Sequence, residues 1–560
     1  MLPVTPPLEM SAEELEGLLE RAREALGEAG YQKLKAVIHT LSYVTELLET
    51  REATLASLRR LLCRAHSEKT DAVLEEAGIA PSSTPSRPAA DTVGKKPAPG
   101  HGRNGATAYA GAQRIEVPHA TLHRGDRCPE CQRGKVYPLE EPGRLVRMRG
   151  QAPLAATVYE LQKLRCNLCG EVFTAKVPAG VGEEKYDTTT ASMIALLRYG
   201  SGFPWNRLAD LQESMGIPLP VATQCEIVAE AAVPLQPAMK ELIRQAAQGE
   251  VLHNDDTSMR VLALRRRLGM EKDENESDAG ERTGVFTSGI VSTAEKQTIA
   301  LFFTGRQHAG ENLADVLRQR AAELAPPMQM CDALSRNLPK LPEKLEVLVG
   351  HCLAHARRRF VEVIENFPQP CQYVLEQLGT IYGHDATARK QAMTPHERLR
   401  FHQQHSAPVM TDLRAWLTAQ FAERKVEPNS GLGMAIRYLL KHWERLTLFL
   451  REPGAPLDNN ICERALKKAI LHRKNSLFYK TENGARVGDL FMSLIHTCAL
   501  SGANPFDYLT QLQLHPSELA RNPAVWMPWN YRATLESFAV PGGPGVGSLE
   551  WTSGARLDSG

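Results

Sequence analysis

Apolar residues recur at heptad spacing near the start of the chain, inside a segment (8–78) that we predict to be helical throughout. Counted from Leu34, eight of nine successive a and d positions are apolar over four heptads, which is typical of a coiled coil. This leucine-zipper-like segment would join two subunits or dock a partner helix, and one helix of an intramolecular hairpin also fits the pattern. The nine positions are Leu34, Val37, Leu41, Val44, Leu48, Arg51, Leu55, Leu58 and Leu62.

Short β-rich runs replace the helical pattern from residue 251 onward. Three runs follow one another, and alternating helices and strands come next, which predicts an α/β fold with a mixed sheet over 251–365. The acidic stretch 271–282 fits an exposed hairpin loop. The five runs are VLHNDDTSMRVLALR, TGVFTSGIVST, TIALFFTG, MQMCDAL and LEVLVGHC.

Helical patterns occupy much of the remaining chain. The segment 187–250 breaks at Gly-Ser-Gly-Phe-Pro and at Gly-Ile-Pro-Leu-Pro, so its short helices would form a helix-turn-helix or another small bundle. A long, mainly helical stretch covers 366–450, and two more helices are predicted within 459–500. From residue 541 the composition predicts disorder.

The segment 79–118 is dominated by Pro, Ala, Gly and Ser and offers few large apolar side chains. This composition predicts a flexible linker. Its basic residues (Lys95, Lys96, His101 and Arg103) could follow a phosphate backbone, and a merely solvated tether fits the composition equally well.

The composition of the whole chain bounds its class. With 560 residues, 42% hydrophobic and 23% charged, it is typical of a soluble multidomain protein. No apolar run is long enough for a membrane span and no secretory signal is evident at the N-terminus, so we expect a cytoplasmic protein. The net charge of +1 argues against a uniformly basic protein but is compatible with local basic patches.

Four of the eleven cysteines form two C-x-x-C pairs, Cys128 with Cys131 and Cys166 with Cys169. Two such turns can supply a tetrahedral Cys₄ shell, so we predict a structural Zn²⁺ ion in a ribbon-like domain over 119–180. Because two matched pairs occur, and neither opens a thioredoxin-like pattern, a redox pair is the weaker interpretation.

Three segments place carboxylates where metal-dependent chemistry requires them. Asp255 and Asp256 interrupt the first β-rich run, Asp332 ends a later one, and Glu463 lies near the start of a helix that becomes basic. Two strand acids and a helix acid can converge on two Mg²⁺ or Mn²⁺ ions and support phosphodiester displacement. From the residues alone, turn and capping roles remain open for each acid.

The chain resembles transposases of the insertion sequence 66 family, which are DDE transposases with an RNase H-like catalytic core. The resemblance runs from about residue 30 to 530 and is most specific near the C-terminus. The motifs that carry it are LRRLLCRAHSEK, GHGRN, CPEC…CNLCG, LHNDDT, GHCLAHARRRF, LDNNICERALKKAILHRKNSLF and NPFDYL.

The resemblance implies that Asp255, Asp332 and Glu463 are the first, second and third catalytic acids and hold magnesium. Asp256 stands where the family usually has Glu, and strand alternation favours Asp255, since neighbouring side chains face opposite sides. The sequence patterns and the resemblance together predict eight segments along the chain. They are an N-terminal coiled coil (8–78), a linker (79–118), a zinc domain (119–180), a DNA-binding-like helical region (187–250), a core (251–365), a helical insertion (366–450), closing core helices (451–513) and a tail (514–560).

Basic residues surround the acids in the sequence. Segment 457–480 carries a local charge of +4, and Arg464, Lys467 and Lys468 share one helix face. These residues would hold a phosphodiester, although a merely solvated basic face remains open. His351 and His355 are weak zinc-ligand candidates, and contacts to DNA or to the active-site carboxylates fit them better. The complete set of predicted DNA-binding residues is Lys95, Lys96, Arg103, Arg357, Arg358, Arg464, Lys467, Lys468, Arg473 and Lys474.

The sequence therefore predicts a bacterial transposase that cleaves the ends of an insertion sequence and joins their 3′-hydroxyls to target DNA. Its expected partners are the terminal inverted repeats, target DNA, a second copy of the chain and small accessory proteins, with association to the nucleoid when DNA is bound. Two alternatives stay open: a zinc-containing DNA-binding regulator with an inactive core, and an RNase H-like nuclease without strand transfer.

Overall fold

The computed structural model describes thirteen stretches or single residues of the chain. They are residues 31, 70, 74, 117–118, 120–139, 151–165, 167, 169, 172–182, 184–266, 284–294, 297–342 and 345–539. Residues 514–539 of the predicted tail are described and largely helical, whereas the predicted coiled coil, the linker, the acidic loop and the segment from residue 541 lie almost entirely outside the described residues. The predictions made for them therefore stay predictions.

The chain divides into two compact units, one formed by 1–82 with 363–379 and the other by 83–362 with 380–560. In the described part of the first unit, Leu74 is 1% exposed, and a side chain added at Gly379 would lie 3.1 Å from the hydroxyl of Thr70. Apart from residues 363–379, the features described below belong to the second unit.

A five-stranded mixed sheet lies at the centre of the second unit, as the sequence predicted. Its strands follow the order β5-β4-β3-β6-β7, in which β4 is antiparallel to both β5 and β3, and β6 and β7 run parallel to β3. A separate antiparallel pair, β1 and β2, lies in the predicted zinc region. The strands are β1 (Lys163–Arg165), β2 (Val172–Thr174), β3 (Val251–Ser258), β4 (Phe286–Ala294), β5 (Gln297–Gly305), β6 (Met328–Cys331) and β7 (Leu348–His351).

Most helices before and around the sheet follow the predicted segments. The end of the first predicted β-rich run is an exception, because the strand ends at Ser258 and residues Leu262–Arg266 form a short helix. The helices are α1 (Thr188–Ala195), continued by a π-helical turn (Leu196–Gly200), α2 (Trp205–Ser214), α3 (Val221–Ala232), α4 (Gln236–Ala246), α5 (Leu262–Arg266), α6 (Ala309–Leu317), a 3₁₀ turn (Ser335–Asn337) and α7 (Leu353–Val361).

The later part of the described chain is almost wholly helical. It contains α8 (Pro368–Lys390), α9 (Pro395–Ala422), α10 (Gly431–Lys441), α11 (Trp443–Leu446), a 3₁₀ turn (Leu448–Leu450), α12 (Asn460–Ser476), α13 (Glu482–Ser501), α14 (Pro505–Leu514), α15 (Pro516–Arg521), a 3₁₀ turn (Pro523–Trp526) and α16 (Tyr531–Ala539). Within the described ranges, none of the helices combines the length and the apolar character that a membrane crossing needs.

Helix α13 covers the open edge of β5. Asp489, Ser493 and Thr497 lie one helical turn apart and accept backbone N–H hydrogen bonds from β5 at 2.7, 2.9 and 3.1 Å. The donors are Thr304, Phe302 and Ala300, which are alternate residues of the strand. An edge strand leaves every second N–H without a strand partner, so the polar stripe of α13 satisfies groups that would otherwise be buried unpaired.

Helix α12 is fastened to β3 at both ends. Near its start, the Asn459 side chain donates to the backbone oxygen of Asn254 at 3.1 Å. Near its end, Arg473 donates to the Thr257 hydroxyl at 3.0 Å. These contacts fix the first turn of α12, which carries Glu463, beside the strand that carries Asp255.

Candidate active site

Asp255 and Asp332 lie side by side on neighbouring parallel strands. Strands β3 and β6 pair in the register Leu252 with Gln329 and His253 with Met330. Two residues further along, the same register places Asp255 next to Asp332. The side-chain amide of Asn337 donates a hydrogen bond to each carboxylate, at 3.2 Å to Oδ1 of Asp255 and 2.5 Å to Oδ1 of Asp332.

Asn337 is itself held in place by buried polar groups. It is completely buried, and its backbone oxygen accepts hydrogen bonds from Asn254 at 2.8 Å and from Gln329 at 2.7 Å. Gln329 also donates to the Asn254 side chain at 2.8 Å. The turn that follows β6 is therefore tied to the interior of the sheet, which holds the Asn337 amide between the two carboxylates.

Burial and the neighbouring charge of Asp332 raise the pKa of Asp255 to about 7. Hydrogen bonds from the Asp256 backbone and from Asn337 act in the opposite direction and do not offset this effect. A divalent cation would favour the ionised form of both carboxylates. Carboxylate oxygens are hard ligands, so this pair fits Mg²⁺ or Mn²⁺ better than a soft metal.

Asp256 faces away from this pair. Its side chain is 1% exposed, and its carboxylate lies 2.8 Å from Nδ1 of His308 and 3.3 Å from the guanidinium of Arg336. This buried ionic group ties β3 to the start of α6 and to the turn after β6. The two adjacent acids thus point to different surroundings, as strand alternation requires.

Glu463 lies on the first turn of α12, and its side chain is 25% exposed. Its Oε1 lies 3.6 Å from Nδ1 of His355, and its Oε2 lies 3.7 Å from Arg358. The carboxylate is therefore oriented toward α7. Burial raises the pKa of the neighbouring Cys462 thiol well above its usual value, and the charges of Asp255 and Glu463 add to this effect.

A comparison with protein families covers the part of the chain that contains this site. A sequence model described as Transposase IS66 family matches residues 184–487, more than half of the chain. The chain belongs to the IS66 transposase family. The matched range includes the whole five-stranded sheet together with Asp255, Asp332 and Glu463.

Three curated relatives of this IS66-family chain come from Sinorhizobium fredii, and each is named an uncharacterized protein. The chain is 33% identical to y4jD over 189 residues, which cover 33% of this chain and 36% of that protein. It is 23% identical to y4hP over 357 residues (60% of each chain) and 24% identical to y4qI over 378 residues (64% of this chain and 66% of that protein). The matches thus span from about a third to just under two thirds of these relatives.

The predicted zinc ligands of the IS66-family chain are described in part. Cys128 and Cys131 lie in a tight turn in which the Cys128 oxygen accepts the Gln132 N–H at 2.9 Å and the Gly134 N–H points to the Cys131 sulfur at 3.5 Å. Backbone N–H groups of residues 134 and 133 lower the pKa of the Cys131 thiol, which favours a thiolate. Cys169 is exposed, and Cys166 lies outside the described residues. The four-cysteine zinc site stays a prediction.

The predicted DNA-binding residues fall into distinct surroundings. Arg464, Lys467 and Lys474 are exposed on α12, and Lys468, also exposed, lies 3.3 Å from the backbone oxygen of Gly200. Arg473 is engaged with the end of β3, as described above. On α7, Arg357 is only 8% exposed and Arg358 contacts Glu463, so neither resembles the exposed residues of α12. The predicted linker residues Lys95, Lys96 and Arg103 lie outside the described part of the chain.

The sequence did not predict the specific contacts of two residues near the acids, Asn337 and His355. Asn337 follows Asp332 by five residues in an irregular turn, where no periodic pattern points to it. His355 was expected to contact DNA or a carboxylate, but its pairing with Glu463 depends on the packing of α7 against α12. The sequence feature that could have pointed to this site is Cys352, three residues before His355, because its thiol lies near the same two side chains.

Proposed function

We propose that this protein is a DNA transposase that cleaves insertion-sequence ends and joins the freed 3′-hydroxyls to target DNA. The observation that carries this proposal is the position of Asp255 beside Asp332 on adjacent parallel strands, inside the region that matches the family. Glu463, on a helix fastened to the same strand, is the proposed third acid.

The mixed sheet supports the RNase H-like core that the resemblance implies. Three antiparallel strands are followed by two parallel strands, and the helical stretch α8–α11 separates β7 and α7 from the helix that carries Glu463. The three acids thus come from distant parts of the chain, and the fold of the core is what assembles them.

The residues of the site have separate proposed tasks. Asp255 and Asp332 hold two Mg²⁺ or Mn²⁺ ions together with Glu463. Ions held by these carboxylates would supply activation of the attacking oxygen and stabilisation of the departing one. Asn337 keeps the two strand carboxylates at a fixed separation, and the partner contacts of Asp256 keep it out of the reaction.

DNA is the proposed partner of the exposed face of α12. Arg464 and Lys467, within about one turn of Glu463, would contact phosphates near the scissile bond, and Lys474, about 16 Å further along the helix, would contact the DNA beyond it. The zinc domain and helices α1–α4 would recognise element ends. A second copy of the chain, joined through the N-terminal segment, would hold the other end, and small accessory proteins of the element complete the proposed assembly.

A strand-joining assay tests the proposal. The full-length protein is incubated with Mg²⁺, a pre-cleaved end of the element that carries its gene, and a target plasmid. We expect joined product from the unaltered protein and a more than about 100-fold loss for Asp255→Asn, Asp332→Asn and Glu463→Gln, since even outer-shell changes at metal sites cost about 10- to 100-fold. Asp412→Asn, at an exposed position on α9, is the matched control and should join normally.

The alternatives give different products in the same assay. Hydrolysis of the end without joined product would contradict the transposase and identify a nuclease. Specific binding of the ends, with neither cleavage nor joining in Mg²⁺ or Mn²⁺, would identify a DNA-binding regulator. Joining that survives in the three acid variants would show that another site performs the reaction.

A further inference from the structure

We propose that Cys352, His355 and Glu463 form a binding site for a transition-metal ion of the zinc type. A candidate ligand atom from each of the three side chains lies within 4.8 Å of the other two. Cys352 and His355 occupy the start and first turn of α7, three residues apart, and therefore share one face. Glu463 comes from the first turn of α12.

The separation of two of these atoms suits a shared ion better than a direct bond. Nδ1 of His355 and Oε1 of Glu463 are 3.6 Å apart, which is too long for a hydrogen bond. Metal–ligand distances of about 2.0–2.3 Å in a tetrahedral site place neighbouring ligand atoms roughly 3.3–3.8 Å apart. The observed separation falls inside that range.

Both atoms are also buried without a hydrogen-bond partner among the described residues. Buried nitrogen and oxygen atoms normally have a partner, and leaving one unpaired is costly. Here two unpaired atoms on different helices face each other next to a buried sulfur. An ion bound between them would satisfy both at once.

The Cys352 sulfur is arranged as an acceptor. It is fully buried, and the backbone N–H of Asn459 points to it at 3.3 Å. Burial raises the pKa of this thiol to about 12, and the donated Asn459 N–H only partly opposes that effect, so a bound cation would be needed to hold the thiolate that binds metal. Because Asn459 also fastens α12 to β3, the same residue aligns the sulfur, the start of α12 and the strand of Asp255.

The donor set selects the kind of ion. One thiolate, one imidazole and one carboxylate favour Zn²⁺ or Co²⁺ over Mg²⁺, which prefers oxygen ligands alone. Three protein ligands leave a fourth position of a tetrahedral ion open. An ion in this site would hold the Glu463 carboxylate against α7, next to Arg358, and so would set its orientation relative to Asp255 and Asp332.

This inference rests on the proposed function only through Glu463, which belongs to both sites, and its test therefore measures metal binding and not joining. The full-length chain is prepared with Cys128→Ser and Cys131→Ser, so that the predicted zinc ribbon contributes no metal. Bound Zn²⁺ is counted by mass spectrometry after dialysis, and bound Co²⁺ is followed by its thiolate charge-transfer absorption.

We expect this background chain to retain one equivalent of metal and to show the cobalt–thiolate band. Adding Cys352→Ser should remove the band, and adding His355→Gln or Glu463→Gln should weaken metal binding by more than about 10-fold. Cys225→Ser, which alters an exposed thiol elsewhere, should change neither quantity. If Cys352→Ser does not fold, His355→Gln and Glu463→Gln decide the question, since both side chains are about a quarter exposed.

A background chain that binds no metal, or binds it equally well in these variants, would overturn the inference. The proposed function is tested separately with Asp255→Asn, which should abolish joining but leave the bound Zn²⁺ unchanged. A background chain that binds no metal but joins normally in Mg²⁺ would thus reject the inference alone, and a background chain that binds the metal but gives no joined product would reject the proposed function alone.

Discussion

At the scale of single residues, the two adjacent acids of β3 have different surroundings and different proposed roles. Asp255 is a proposed metal ligand, and Asp256 stabilises the fold. Asp255 faces Asp332 and has a raised pKa, whereas Asp256 lies between His308 and Arg336. One carboxylate thus lies beside a like charge, and the other lies beside the Arg336 guanidinium and the His308 imidazole. Replacing each by its neutral isostere should therefore have opposite effects on folding.

Asp255→Asn should stabilise the metal-free protein increasingly as the pH rises. A carboxyl with a folded pKa of about 7 and an ordinary value near 3.8 disfavours folding progressively between these values, because the folded form must retain a proton that the unfolded chain has lost. The gain from Asp255→Asn should grow by about 1–3 kcal/mol between pH 5 and pH 8. Urea unfolding at the two pH values in EDTA measures it.

Saturating Mg²⁺ should cancel this gain, since the ion stabilises the unaltered pair and not the variant. Asp256→Asn is the comparison and should destabilise the protein at pH 8, because it leaves His308 and Arg336 facing an uncharged group. Equal effects of the two substitutions at both pH values would contradict the different surroundings assigned to them.

At the scale of elements, helix α6 supports the turn that carries Asn337. Gly310, in the first turn of α6, lies so close to this turn that an added side-chain carbon would be 2.4 Å from the backbone oxygen of Leu338 and 2.7 Å from that of Arg336. Backbone cannot move aside as a flexible side chain can. Any side chain at position 310 must therefore displace the turn and with it the Asn337 amide.

Gly310→Ala should reduce joining by about 10- to 100-fold without removing a polar group, since small displacements of catalytic groups have effects of that size. Gly305→Ala is the matched control, because nothing lies within 4 Å of an added carbon there, and it should join normally. Comparable joining by the two variants would show that the position of the turn does not matter for the reaction.

The contact between α13 and the edge of β5 makes a second prediction at this scale. Thr497→Val keeps the shape of the side chain but removes the hydroxyl that accepts the Ala300 N–H at 3.1 Å and donates to the Ala300 oxygen at 3.2 Å. The loss should cost about 1–3 kcal/mol of unfolding free energy. Thr411→Val, on the exposed surface of α9, should cost much less in the same denaturant titration.

The elements also show what the sequence could and could not predict. The strands of the sheet and the helices α12 and α13 follow from hydrophobic period and length, because local patterns determine them. The resemblance implies that Asp255 is the first acid, and alternation along the strand adds that Asp255 and Asp256 face opposite sides. The bridge made by Asn337 and the contact of His355 with Glu463 do not follow from local patterns, since they depend on the register of parallel strands and on the packing of helices far apart in the chain.

At the scale of the whole molecule, a net charge of +1 conceals an uneven distribution. Exposed basic residues follow α12 from the turn after Glu463. Asp255 and Asp332 share the Asn337 amide, and Asp256 and Glu463 face histidine and arginine side chains. Affinity for DNA should therefore depend on a local patch and on salt, and not on the total charge.

Arg464→Gln, Lys467→Gln and Lys474→Gln should each weaken DNA binding, to similar extents for element ends and unrelated DNA. Each should also reduce the slope of log affinity against log salt by about 1, as loss of one phosphate contact does. Lys390→Gln, at an exposed position of α8, is the control and should leave the slope unchanged. An unchanged slope in all three variants would place the DNA elsewhere on the protein.

The most direct test of the proposed function is a change of metal preference at Asp255. A thiolate binds Mg²⁺ poorly and Mn²⁺ better, so Asp255→Cys should change which ion supports the reaction if this side chain is a metal ligand. Strand joining is measured in Mg²⁺ and in Mn²⁺ for the unaltered protein and for Asp255→Cys. The proposal predicts that the variant loses joining in Mg²⁺ and regains a substantial part of it in Mn²⁺. Joining by Asp255→Cys at the unaltered rate in Mg²⁺, with the same ratio of rates in the two ions, would contradict it.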